Sequence, residues 1–211
     1  ALRRAEKHFG GISPGAVPER HWTAEPDQTG ERRLTIRREG TAAYFKVAYH
    51  APAAADAGFV PALVLDTVLT GAKGVNLWSS FRGIPPQRQS RLYRALVERR
   101  LASMVAGQIV PTAEPYLYTI SATATDGTSL SSVESALLDE LDDVWKNGIT
   151  PAELERAKKQ LHARFVFDND SVTNIAHQLG YFETIAGVDV FTSLEDRVQG
   201  VTLEAVSSAA G

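Results

Sequence analysis

Ser90-Arg91-Leu92-Tyr93-Arg94-Ala95-Leu96-Val97-Glu98-Arg99-Arg100-Leu101-Ala102-Ser103 is the stretch from which the fold is read. Ser90 stands where a helix N-cap is expected. The spacing predicts a helix over Arg91–Arg100 with Leu92, Leu96 and Val97 turned inward. Strand-forming residues follow at once, over Met104–Val110 and again over Tyr116–Thr125, with Pro111 and Pro115 bounding the connection. A helix that hands directly to two consecutive strands argues against a regular alternation of strand and helix.

Upstream, Leu34 and Ile36 alternate with Thr35 and Arg37. Ala43, Phe45, Val47 and Tyr49 alternate with Tyr44, Lys46, Ala48 and His50. Glu39-Gly40 between the two runs predicts a hairpin turn. Phe59 to Leu69 is apolar at helical spacing and ends at Gly71. Residues 71–89, with Trp78, Phe81, Pro85 and Pro86, read as an irregular loop carrying exposed aromatics.

Downstream the chain is helical. Ser131-x-x-Glu134 predicts a capping box before Val133, Leu137, Leu141 and Val144. Thr150-Pro151-Ala152-Glu153 combines a cap, Pro at the first helical position and Glu at the third, and Leu154, Ala157, Leu161 and Phe165 line one face. Ser171 to Ala186 repeats the pattern with Val172, Ile175, Leu179 and Phe182. The predicted order is β-β-α-α-β-β-α-α-α. Strands in pairs and helices in blocks give an α+β class, a mainly antiparallel sheet with helices on one face.

The 211 residues (22.9 kDa) fit one large domain or two small ones. With no cysteine, disulfide frameworks, thiolate metal sites and cysteine nucleophiles are excluded. No apolar run approaches the roughly 20 residues of a membrane span. The net charge of −3 is unlike that of a nucleic-acid binder. Leu2, Ala5 and Phe9 predict an opening helix stopped by Gly10-Gly11, and residues 10–30 read as a linker. Thr202 caps a closing helix of about two turns. Both ends read as internal to a longer polypeptide.

Few constellations carry chemistry. His8, His21, His50, His162 and His177 include no pair at ligand spacing. Asp139, Glu140, Asp142 and Asp143 interleave with Leu138 and Leu141, as on a solvated helix face. Arg82, Arg88, Arg91, Arg94, Arg99 and Arg100 form a basic patch that reads as solvated. There is no P-loop, G-x-G-x-x-G or G-x-S-x-G. Trp78 and Phe81 suit either a partner contact or a staple onto the core. Taken alone, these residues specify an α+β domain without a catalytic centre.

The opening stretch also resembles the S-R-L-Y-x-x-L-(R/V)-E-x-x-G-L-A segment of pitrilysin/insulinase-type zinc peptidases (inverzincins). Four other stretches agree with that family in order. Lys7-His8-Phe9-Gly10-Gly11-Ile12 is similar to the K-Y-F-G-x-I that closes its first domain, and Tyr49-His50-Ala51-Pro52 to the Y-H-x-P of its second. Thr150 to Lys158 is similar to T-x-E-E-L-E-R-A-K, and Val201 to Val206 to V-T-x-E-D-V.

The resemblance implies a half built from two similar α+β domains. The first carries H-x-x-E-H, whose histidines and a distal Glu hold zinc while the motif Glu acts as general base. This chain resembles the second domain: residues 1–30 as the tail of a preceding domain and a linker, residues 31–211 as the domain itself. H-x-x-E-H is absent from it, so no catalytic and no metal-binding residue is assigned. Family members of the partner half offer Arg and Tyr to substrate in L-R-x-x-x-x-L-x-Y. Val97 occupies the Arg place here, and Ser103 falls at or next to the Tyr place after a one-residue gap.

The implied function is a non-catalytic domain enclosing peptide in a zinc metalloendopeptidase. Zn2+ is expected in the parent and no cofactor in this piece. The alternatives are an inactive structural or interaction subunit derived from the same family, and a module that captures extended peptide by strand addition. Trp78, Phe81 and Ser103 are the candidate substrate or partner contacts. Expected partners are the parent's peptide substrate, other domains of the same chain and a homo-oligomer through an exposed domain interface, with neither nucleic acid nor a membrane span. The expected location, by resemblance to exported bacterial proteins, is the periplasm.

Overall fold

The computed structural model describes residues 2–13, 15–16, 26, 28–76 and 87–210. The chain divides into two units, residues 1–39 and 40–211. In the first, helix α1 (Leu2–Phe9) forms as its spacing predicts, and none of its residues is buried. The run around Leu34 and Ile36 forms no strand, and both side chains are exposed. The expected hairpin about Glu39-Gly40 is therefore absent. Two alternating apolar residues make too short a pattern to hold a register without a buried face.

Among the described residues, the second unit is built on a three-stranded antiparallel sheet in the order β1-β3-β2 (β1 Tyr44–Ala51, β2 Ala102–Gln108, β3 Tyr116–Ala124). Strand β1 pairs along its whole length with β3, from Tyr44 opposite Thr123 to Ala51 opposite Tyr116. Gly107 lies opposite Ile120, and a bulge at Ser103 interrupts β2 between Ala102 and Met104. The two-residue side-chain period sorts the faces. Phe45, Val47, Val105, Ile120 and Ala122 point to the core. Tyr44, Lys46, Ala48, Met104, Gln108, Thr119, Ser121 and Thr123 lie on the other face.

Helix α2 (Phe59–Thr70) is buried almost all round. It packs on β2 and, on its other sides, on α4 (Pro151–Asp168), α7 (Leu194–Gln199) and α8 (Leu203–Ala210). That position explains why its apolar residues are not confined to one stripe. Helix α3 (Leu130–Asn147) packs on β1 and β3, and its Val133, Leu137 and Val144 are buried. Helices α5 (Val172–Ile185) and α6 (Val188–Thr192) complete the helical side, with Phe182 fully buried. The fold is thus the expected α+β class with helices on one face of an antiparallel sheet, and α6 and α7 are additions that periodicity did not mark.

The capping signals resolve unevenly. Thr150 and Glu153 form a complete capping box. Ser171 caps α5, and Thr202 Oγ1 accepts from the Ala205 amide at 3.2 Å. For α3 the cap is Ser129, not Ser131: its hydroxyl accepts from the Ser132 amide at 3.1 Å. Ser90 does not cap. Its hydroxyl is buried without a hydrogen-bond partner among the described residues, and only its carbonyl joins the helix, accepting from Arg94.

Candidate functional site

The quoted stretch 90–103 departs from regular geometry three times within a dozen residues. Arg91 and Leu92 begin a helix that widens into a π turn over Tyr93–Glu98, closed by the Leu101 amide donating to Leu96 O at 2.9 Å. Arg100 then takes a left-handed conformation (φ 60). Ser103 follows as the bulge residue of β2. Leu92 and Leu96 are fully buried and anchor the segment, and Val97 is half-buried. π turns and bulges each insert a residue and re-aim the side chains after them.

Ser103 is exposed, and its hydroxyl donates to Thr123 O at 3.3 Å. It stands beside the row Tyr44–Thr123–Met104 on the outer sheet face. The next rows, Lys46–Ser121–Ala106 and Ala48–Thr119–Gln108, are made mostly of small or hydroxylated side chains. No acidic residue lies on these rows. The other two sequence candidates, Trp78 and Phe81, lie outside the described residues.

Behind this segment Arg91 acts as a clamp. Its Nε and Nη2 donate to Glu153 Oε1 and Oε2 at 2.8 and 2.9 Å, Nη1 to Asp143 at 2.7 Å, and Nη2 also to Gly148 O at 3.3 Å. Glu140 lies 3.5 Å from Nη1. The separate expectations of a solvated arginine patch and a solvated acidic helix face are therefore corrected for Arg91, Glu140 and Asp143. Arg91 is nearly buried and forms ion pairs with three carboxylates, while Arg94, Arg99 and Arg100 stay exposed. The Arg91 bond, reinforced by the Thr150 amide and hydroxyl, lowers the Glu153 carboxyl from its ordinary 4.5 to about 2.

A second polar cluster joins α2 to the sheet. Asp66, 1% exposed, accepts from Tyr118 Oη at 2.9 Å, Thr70 Oγ1 at 2.5 Å and Lys73 Nζ at 2.6 Å. Burial, and then the Asp66 carboxylate, push the Tyr118 phenol well above its ordinary value. Gly107 makes room for it: a Cβ there would lie 2.4 Å from Asp66 Oδ1. Sequence reasoning missed this cluster. The available signal was a carboxylate inside an otherwise apolar helix, with a threonine one turn on.

Neither cluster is arranged for metal binding, and among the described residues no three His, Asp or Glu side chains converge as ligands. His162 Nδ1 instead meets Glu195 at 2.5 Å between α4 and α7. No described helix is long and apolar enough to cross a membrane.

The sequence pattern of the family described as the M16 peptidase inactive domain matches residues 1–161. No curated protein matches the chain. Among solved structures, the inactive peptidase domain of a candidate zinc protease from Bordetella parapertussis is 25% identical, with a TM-score of 0.65, covering 84% of this chain and 88% of that one. A protease from Helicobacter pylori is 19% identical with a TM-score of 0.80, covering 99% of this chain and 48% of that one. The periplasmic protease PqqL from Escherichia coli is 13% identical with a TM-score of 0.60, covering 82% of this chain and 18% of that one. The last two likenesses concern the fold.

Proposed function

Because the chain belongs to the family of M16 peptidase inactive domains, we propose that it forms part of the wall of a peptide-enclosing chamber, in a zinc peptidase whose metal is held by another domain. The observation that carries this reading is the outer face of the sheet. Among the described residues of the second unit, helices cover one face only, and the other presents Thr119, Ser121, Thr123, Ala48 and Ala106 between Tyr44 and Met104. Such a surface has hydroxyl groups for hydrogen bonding and little bulk, so it tolerates varied side chains in an extended peptide. Ser103, at the bulge, is the proposed contact nearest the end of that face. Trp78 and Phe81 are carried forward as proposed contacts from sequence alone.

The residues present do not fit a zinc site. H-x-x-E-H is absent from the sequence, and the described His, Asp and Glu side chains do not converge. A water-activating zinc needs three fixed protein ligands and an open position. The chain's proposed contribution is therefore enclosure, and hydrolysis is assigned to the domain that supplies the ligands. The proposed setting is the periplasm.

The test is zinc content by elemental mass spectrometry, with peptide hydrolysis measured alongside. The natural-length protein is expected to carry about one zinc and to lose activity on chelation, while residues 1–211 alone carry none. A zinc-free, inactive natural-length protein moves the assignment to a structural subunit. Stoichiometric zinc in residues 1–211 overturns the assignment.

A further inference from the structure

The C-terminal stop of α3 is made by the dipeptide Asn147-Gly148. Gly148 takes φ 70, a conformation that a Cβ disfavours, so this stop is held at glycine. Asn76, Asn169 and Asn174 precede Leu77, Asp170 and Ile175, so Asn147 is the chain's one asparagine followed by glycine. That pairing is chemically reactive. The glycine amide nitrogen, with no Cβ beside it, can attack the carbonyl carbon of the asparagine side chain.

The last turn of α3 is thinly held. Trp145, Lys146 and Asn147 are exposed, and Val144 is its buried residue. Hydrogen bonds keep the reacting groups apart. The Gly148 amide donates to Val144 O at 2.8 Å, which occupies the would-be nucleophile. Asn147 Nδ2 donates to Asp143 Oδ1 at 2.8 Å, tying the side-chain amide one turn back along the helix. Gly148 O accepts from Arg91 Nη2 at 3.3 Å, and Arg91 Nη1 donates to Asp143 Oδ2 at 2.7 Å. One arginine thus grips both the glycine and the carboxylate that holds the asparagine. Asn147 and then Arg91 are also the donors that lower the Asp143 carboxyl below its ordinary value.

We propose that Asn147 is a deamidation site, and that the Arg91–Asp143 pair controls it by holding the last turn of α3 closed. When that turn opens, the Gly148 nitrogen loses its proton to solvent base and forms a bond to Asn147 Cγ. The Cγ–Nδ2 bond breaks, and ammonia leaves after taking up a proton, giving a five-membered succinimide. Water then opens the ring at one carbonyl or the other, giving aspartate or isoaspartate at position 147. Water is the only co-reactant. The product carboxylate removes the donor to Asp143 and sets a like charge one turn from it. The isoaspartate form also adds a methylene to the main chain at the helix stop, shifting Gly148 O from Arg91. The modification therefore loosens the restraint that slows it. The inference does not depend on the proposed function.

The test is peptide mapping by mass spectrometry after prolonged incubation of the 211-residue chain at mildly alkaline pH, reading the replacement of NH2 by OH at each asparagine. Conversion is expected at Asn147 ahead of Asn76, Asn169 and Asn174, in aspartate and isoaspartate forms. The same chain unfolded in urea is expected to convert at Asn147 about tenfold faster or more, the effect of one charge-assisted hydrogen bond on an opening equilibrium. Asp143→Ala removes an exposed side chain and leaves the Arg91–Glu153 bond in place. It is expected to speed conversion at Asn147 in the folded chain several-fold, with Asn169 and Asn174 unchanged. Arg91→Met is expected to do the same. Should that variant unfold, conversion rises at every asparagine and Asp143→Ala still decides. Preferential conversion at another asparagine overturns the site. Equal rates at Asn147 in the folded chain, the unfolded chain and the Asp143→Ala variant overturn the control by Arg91 and Asp143.

Discussion

Arg91 and Glu153, 62 positions apart in the chain, are locked by two parallel hydrogen bonds: Nε to Oε1 at 2.8 Å and Nη2 to Oε2 at 2.9 Å. The same carboxylate closes the capping box of α4, accepting from the Thr150 amide at 2.8 Å. One side chain thus ends a helix and ties that end to the segment carrying the π turn. The planar guanidinium fork suits such a two-pronged bond, which a lysine ammonium cannot reproduce.

Arg91→Met is accordingly expected to lower stability by about 3 kcal/mol, because it strands the little-exposed Glu153. Urea denaturation reads this as a lower midpoint at unchanged slope. Arg91→Lys keeps the charge but loses the fork, and is expected to recover less than half of the loss.

The same pair sets an acid limit. The Glu153 carboxyl is lower in the folded chain, about 2, than its ordinary 4.5. A depressed carboxylate contributes stability that is fully present above its unfolded value and is lost as pH falls toward the folded one. Stability should therefore decline as pH drops from about 4.5 toward 2. Glu153→Gln is expected to be less stable at neutral pH and to show a shallower acid decline, measured by thermal melts across that range.

Gly107 tests the buried cluster. Adding a methyl group would bring it 2.4 Å from Asp66 Oδ1 and 2.6 Å from Thr70 Oγ1, so Gly107→Ala is expected to destabilise. Overpacking of this kind costs about 1–3 kcal/mol. Lys73→Met should do at least as much harm, since it leaves the Asp66 charge buried beside neutral hydroxyl donors. Guanidinium denaturation of both variants checks the ranking.

Arg100 carries the opposite expectation. It adopts φ 60 with an exposed side chain. A left-handed conformation penalises any Cβ. Arg100→Gly is expected to stabilise by about 0.5–1 kcal/mol after the entropy of the added glycine is subtracted. A lower melting temperature for this variant would show that the Arg100 side chain makes a contribution larger than its backbone strain.

Local chemistry by itself determined α3, α4, α5 and α8, the stop of α2 at Gly71, the caps at Thr150 and Thr202, and the α+β class. Each depends on neighbours within about one turn, and each is read from periodicity or a capping side chain. The family was legible too, because its motifs are short runs in a set order. Tertiary structure decided the rest. Whether Leu34 and Ile36 pair, where β1 finds its partner, and which of Ser129 and Ser131 caps α3 depend on what lies across the fold. So does the fate of Arg91, Glu140 and Asp143: their sequence pattern is that of solvated faces, yet folding places the arginine between the carboxylates, where removal from water makes pairing obligatory. Asp66, Lys73 and Tyr118 give the same lesson. A charge inside an apolar helix is tolerated only when distant residues supply its hydrogen bonds, and packing alone determines which residues those are.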